Sequence, residues 1–180
     1  MTIRPSPGQR AARGAGELVA MVGMAPAAAR TMTDIFDRIQ SEHDKHRTLL
    51  DIIARTHGDS AGRRELFAKL ADEVRAHARA EERTFYAELL AAPESRSQAG
   101  HSVKEHRDTE DMIEELLEKD YGDSGWLTRF EVLADDLRHH MDEEEREVFP
   151  LAGRVLTEER KRELADEFER AKGEETRRVA

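Results

Sequence analysis

Residues 77–82 read His77-Ala78-Arg79-Ala80-Glu81-Glu82, and residues 140–145 read His140-Met141-Asp142-Glu143-Glu144-Glu145. Each stretch holds a His-x-x-x-Glu pair. Four residues is about one helical turn, so the imidazole and the carboxylate of each pair share a helix face. A lone histidine stands 34 residues ahead of each pair, His43 before His77 and His106 before His140, and the whole pattern repeats with a period of 63 residues. Six side chains of metal-ligand type thus recur in register. They form two half-sites that meet if the two copies fold against each other.

The residues around them set the fold. From Thr33 onward Ile35, Ile39, Leu49, Leu50 and Ile53 recur at helical spacing around His43 and His46, and His57-Gly-Asp-Ser-Ala-Gly62 ends this first helix. Phe67, Leu70, Val74, His77, Glu81 and Phe85 step by three or four along a second helix that Pro93 closes. A polar loop from Pro93 to Gly100 leads into a third helix with His106, Ile113 and Leu116 or Leu117 inward, broken at Tyr121-Gly-Asp-Ser-Gly125. The fourth carries Trp126, Phe130, Leu133, Leu137, His140, Glu144 and Val148. After Trp126 each member lies 63 residues beyond its counterpart in the second helix. Pro150 is expected to kink or end it. Thr157 can cap a short fifth helix from Glu158 to about Lys172, with Leu164 and Phe168 docking on the outside.

The fold class expected is therefore all-α: an up-down-up-down antiparallel four-helix bundle over residues 32–156, two αα-hairpins related by an approximate twofold axis, with a C-terminal helix and tail over 157–180. Residues 1–31 read as a disordered extension, because they carry four arginines, one glutamate, three of the five prolines and no periodic apolar face. Leu18–Ala29 resembles a targeting segment only weakly, since Pro26 interrupts it, and a cytoplasmic location is expected.

Composition narrows the chemistry. The chain has 29 basic and 39 acidic residues, net −10; beyond residue 31 there remain 25 basic and 38 acidic, net −13, a body that repels nucleic acid and anionic lipid. With no cysteine, thiolate and iron–sulfur ligation are excluded and a metal must be held by imidazole and carboxylate. That donor set points to iron first, then manganese, then zinc.

Glu42-His43, His77-x-x-x-Glu81-Glu82, Glu105-His106 and His140-x-x-x-Glu144-Glu145, followed by Val148-Phe149-Pro150, resemble the hemerythrin-like, or HHE cation-binding, family over about residues 33–150. The resemblance implies a four-helix bundle around a non-haem di-iron centre that meets oxygen, peroxide or nitric oxide. It further implies that His43 and His77 bind one iron, His106 and His140 the other, and that Glu81 and Glu144 bridge them. Bridging carboxylates suit two cations that repel in a low-dielectric core. The oxygen carriers of the family add a His one turn after the third-helix ligand and use Asp on the fourth, where this chain has Glu110 and Glu144. Reversible oxygen carriage is accordingly not expected here.

Further residues bear on the site. His46 lies on roughly the face of His43, as an extra ligand or a hydrogen-bond donor behind one, although its repeat equivalent is Thr109. Glu110 is a surface glutamate or a ligand in place of the carriers' histidine. Tyr86, equivalent to Phe149, is core, or a phenol that ligates or hydrogen-bonds at the centre. Glu82 and Glu145 face aside, solvated or behind the ligands. The functions open on sequence alone are a redox-active di-iron protein, a sensor of oxygen, nitric oxide or iron, and an iron store or donor. The redox or signalling partner is left open.

Overall fold

The computed structural model describes residues 33–179, which form α1 (Ile35–Ile53), α2 (Ala61–Arg83), α3 (Phe85–Ala91), α4 (Arg96–Glu118), α5 (Ser124–Glu143), a π-helical turn (Glu144–Val148), α6 (Phe149–Val155) and α7 (Glu158–Val179). The described residues contain no strand. The disorder expected of residues 1–31 lies outside the described residues. Capping residues set the helix starts. Asp34 accepts from the N–H of Asp37 (3.0 Å), Ser60 from Arg63 (3.2 Å), Asp123 from Gly125 (2.6 Å) and Thr157 from Arg160 (3.1 Å). Each satisfies an N–H that no preceding turn reaches. Gly58, at φ +56°, makes the left-handed turn between α1 and α2 that a side chain would strain.

α1, α2, α4 and α5 run up-down-up-down, and along each of them the apolar stripe is interrupted at the same level by ionisable groups. One apolar cluster lies on one side of that level and includes Leu50, Ile53, Phe67, Leu70, Ile113, Leu116, Trp126 and Phe130. Trp126 stacks on Phe130 at 5.4 Å and donates its indole N–H to the Leu116 carbonyl at 3.0 Å, so its polar edge is satisfied in the core. Buried Arg63 closes this end, donating to the Thr56 and Tyr121 carbonyls at 2.7 and 3.0 Å. The other cluster includes Ile35, Ile39, Phe85, Leu89, Val148, Leu164 and Phe168. The polar layer is thus sealed above and below.

Four helices differ from the sequence reading or refine it. Pro150 does not end its helix: the π-turn before it lets the Phe149 N–H reach the Glu144 carbonyl, and the helix continues as α6 to Val155. The second helix breaks at Thr84 (φ −124°, ψ −80°), whose hydroxyl turns back to the Ala80 carbonyl at 2.7 Å. Thr84 is the repeat equivalent of Glu147, inside the π-turn, so both halves depart from α-helix at or just after the repeated carboxylates Glu81 and Glu144. The third helix starts at Arg96, not after Gly100, because buried Ala99 and Ser102 pack its first turns against the core. The fifth helix is also longer than its apolar residues suggest: α7 runs 22 residues, to Val179, along α1 and α2.

Candidate metal centre

The helix faces chosen by the apolar stripes aim seven ionisable side chains at one layer: His43 and His46 from α1, His77 and Glu81 from α2, His106 from α4, His140 from α5 and Glu144 from the π-turn. All have side chains no more than 8% exposed. His77 Nε2 lies 2.9 Å from Glu81 Oε1, and His106 Nε2 lies 3.4 Å from Glu81 Oε2. His43 Nε2 lies 3.2 Å from Glu144 Oε2, and the Nε2 atoms of His106 and His140 are 3.2 Å apart. Two ligand-spaced triads result, His43–His77–Glu81 and Glu81–His106–His140, with Glu81 common to both.

A row of carboxylates behind the imidazoles fixes their orientation. Glu145 takes His43 Nδ1 at 2.8 Å and is itself held by Arg47 at 2.9 Å; Glu82 takes His106 Nδ1 at 3.0 Å; Glu105 takes His140 Nδ1 at 2.9 Å. With Nδ1 engaged, each ring presents Nε2 to the layer. His77 is the exception. The repeat places Glu42 where Glu105 serves His140, but Lys172 of α7 and Lys45 engage Glu42, and His77 Nδ1 has no partner. Phe168 of α7 lies edge-on to the His77 ring at 5.6 Å and seals that side.

Burial and mutual charge set the protonation. Glu81 is pushed up to about 8 by burial and by the neighbouring Glu144 carboxylate. Glu144 goes the other way: burial would raise it, but His43, His140 and the Tyr86 hydroxyl hold it well below the usual carboxylate range. Without a cation one of the two carboxyls therefore keeps its proton. Burial lowers His77 and His46 far below the ordinary imidazole value, so both offer neutral lone pairs. His43 is raised to about 9, because Glu144 and Glu145 overcome its desolvation.

A cation fits this donor set. His43 Nε2, His46 Nε2, both nitrogens of His77, both oxygens of Glu81 and Glu144 Oε2 are buried without a hydrogen-bond partner. An orphaned buried polar group costs about 1–3 kcal/mol; five of these atoms, His43 Nε2, His77 Nε2, both Glu81 oxygens and Glu144 Oε2, face the layer on residues of the repeat, and metal coordination would relieve them together.

The structure brings His43, His77, Glu81, His106, His140 and Glu144 together and adds His46, whose ring lies 4.9 Å from His77 and which is grouped with Glu42 and His77. Tyr86 is fully buried and donates its hydroxyl to Glu144 Oε1 at 2.6 Å. Glu110 stands apart from the converging groups. Arg75 Nε donates to both its oxygens, at 2.9 and 3.0 Å, and the pair forms part of the wall of a cavity of about 30 Å³ beside the five histidines. That volume suffices for one water or a diatomic molecule. Sequence reasoning gave no role to Glu105, Glu42 or Lys172. The first two do repeat in the 63-residue register and were discoverable there; Lys172 lies outside the repeat and has no such signal.

Among the described residues no helix is long and apolar enough to cross a membrane. The profile of the family described as Hemerythrin HHE cation binding domain matches residues 34–152. No match is found among curated proteins. Among solved structures, the crystal structure of a hemerythrin HHE cation binding domain-containing protein from Mycobacterium kansasii is similar, with TM-score 0.72 and 24% identity over 80% of this chain and 88% of that one. At that identity the likeness is one of fold.

Proposed function

The chain belongs to the hemerythrin HHE cation-binding family, and from that premise we propose that it holds two iron ions in the polar layer and uses them to consume peroxide or oxygen, or to react with nitric oxide. The observation that carries this reading is the convergence of buried, unpartnered lone pairs on two triads that share Glu81. His43 and His77 would hold one ion, His106 and His140 the other, with Glu81 spanning both and Glu144 beside His43. Imidazole and carboxylate donors suit iron among the borderline cations, and the family resemblance is what selects it here.

A bound iron pair supplies reversible electron transfer; the protein supplies the rest. The two apolar clusters exclude bulk water, which strengthens every electrostatic interaction in the layer. Glu145, Glu82 and Glu105 keep the imidazoles aimed inward. The Tyr86 phenol, held neutral by burial and by the adjacent Glu144 and Glu81 charges, keeps one proton on the Glu144 side of the layer. The cavity beside the histidines admits a molecule of diatomic or peroxide size.

Reaction is favoured over reversible carriage because no histidine stands at position 110, so one ion would have fewer nitrogen donors than in a carrier and a position open to a reactant. The test is metal content with turnover. Aerobically purified protein is expected to carry two irons per chain and to consume many equivalents of peroxide. Glu81→Ala is expected to lose both ions and the activity. A zinc-loaded protein, or one that binds peroxide or oxygen once per site and releases it unchanged, overturns the reading.

A further inference from the structure

His-x-x-x-Glu also occurs outside the core layer. His101 and Glu105 on α4, and His139 and Glu143 on α5, form two such pairs, and the packing of these helices sets them side by side on the outer face of the bundle. His101 Nε2 lies 3.4 Å from Glu105 Oε1 and 3.8 Å from Glu143 Oε1; His139 Nε2 lies 3.5 Å from Glu143 Oε2. These separations exceed the 2.7–3.2 Å of an ordinary hydrogen bond. They match the roughly 3.4 Å between donors that each stand about 2.1 Å from one tetrahedral cation.

Both carboxylates are steadied from behind. Glu105 Oε2 accepts from His140 Nδ1 at 2.9 Å, and Glu143 Oε1 accepts from Gln98 at 2.6 Å. Among the described residues no lysine or arginine pairs with either, although the chain has 29 basic residues. Apart from the inner His140 and Gln98, these two carboxylates have only the two surface imidazoles beside them, on a body already strongly acidic. Glu105 and Glu143 are only 21% and 16% exposed, whereas the imidazoles at 52% and 68% are free to turn onto an ion.

We propose that His101, Glu105 and Glu143, with His139 at the rim, form a second cation site on the bundle surface for a borderline divalent metal of the zinc and cobalt class. Imidazole donors exclude magnesium and calcium as its preferred ions. The site stands independently of what the core layer holds. It also touches the core: the carboxylate that would bind the surface ion is the one that orients His140, so occupancy outside alters the hydrogen bond behind an inner imidazole.

Cobalt(II) titration of the full chain as purified tests this, read by equilibrium dialysis and by the visible absorption of four-coordinate cobalt. Wild type is expected to take up one cobalt more than His101→Ala, and His101→Ala or Glu143→Gln to weaken that equivalent by about tenfold or more. The core metal content and thermal midpoint of His101→Ala are expected to equal those of wild type, since its side chain is half exposed. Because the count is a difference between variants, a core that binds no metal leaves it readable. Equal cobalt uptake by wild type and His101→Ala, or uptake without a four-coordinate spectrum, overturns the site.

Discussion

Stripping the metal should destabilise this protein by an amount that the buried layer allows to be worked out. Leaving aside Glu42 Oε2, which Lys172 contacts, and His46 Nε2 and His77 Nδ1, which the proposed ions would not reach, five side-chain atoms of His43, His77, Glu81 and Glu144 are buried without a hydrogen-bond partner. At the low end of about 1 kcal/mol per orphaned group, their uncompensated cost is about 5 kcal/mol, a large share of the roughly 5–15 kcal/mol by which a domain is stable. Relaxation recovers part of this, because Glu81 takes up a proton and the cavity of about 30 Å³ admits a water. If half is recovered, removal costs about 2–3 kcal/mol, which at about 2–4 °C per kcal/mol for a domain of this size lowers the midpoint by about 4–12 °C. The assay is a calorimetric melt of iron-loaded protein against the same preparation after chelation, with iron re-added to restore the first curve. An apo protein that melts with the holo protein would refute the reasoning: the layer would then be a self-satisfied set of imidazole–carboxylate hydrogen bonds.

Further outcomes follow from the same geometry. The metal-free protein should lose stability as pH rises from about 6.5 to 9. Glu81 and His43 have folded-state values raised to about 8 and 9, so the stability they contribute is present at low pH and lost as each deprotonates. The loaded protein, whose ligands must be deprotonated, should gain stability over that range; denaturant midpoints across pH check both signs. Tyr86→Phe removes the donor to a buried carboxylate and is expected to cost about 1.5–3 kcal/mol in chemical unfolding of the metal-free protein, with the helical content unchanged. Lys172→Met leaves Glu42 Oε2 buried without its cation while Lys45 still holds Oε1, and should cost about 1–3 kcal/mol. Lys172→Met with Glu42→Gln should recover most of that loss, and a double variant no more stable than the single one would show that Lys172 acts through packing instead. Glu110→Ala should leave the iron content at its wild-type value, since Arg75 holds that carboxylate away from the layer; iron analysis decides it.

Local periodicity sufficed for the bundle and for placing the six repeated His and Glu side chains on inward faces, because a helix face is a property of spacing. Once His77 and Glu81 fall four apart on an apolar stripe, no folding of the remainder can put them on opposite sides. The carboxylates behind the imidazoles were half legible: Glu82 and Glu145 repeat, yet whether a residue one step beyond a ligand meets solvent or a neighbouring ring depends on the approach of the next helix. Pro150 left kink or termination open in the same way, since a missing N–H is local information and the π-turn that accommodates it is not.

Tertiary packing alone decided three things. Arg75 claims Glu110, a pairing across α2 and α4 at a separation of 35 residues that no spacing rule encodes. α7, which repeats nothing, brings Phe168 against His77 and Lys172 onto Glu42, and so breaks the twofold equivalence that the sequence repeat implies. The seam between α4 and α5 aligns two exposed His-x-x-x-Glu pairs that look unrelated in sequence. The sequence determined which face each helix buries, because that depends on residues within a few turns. Which groups meet across those faces depends on how the helices cross and on what covers them, and these are settled only when the whole core closes.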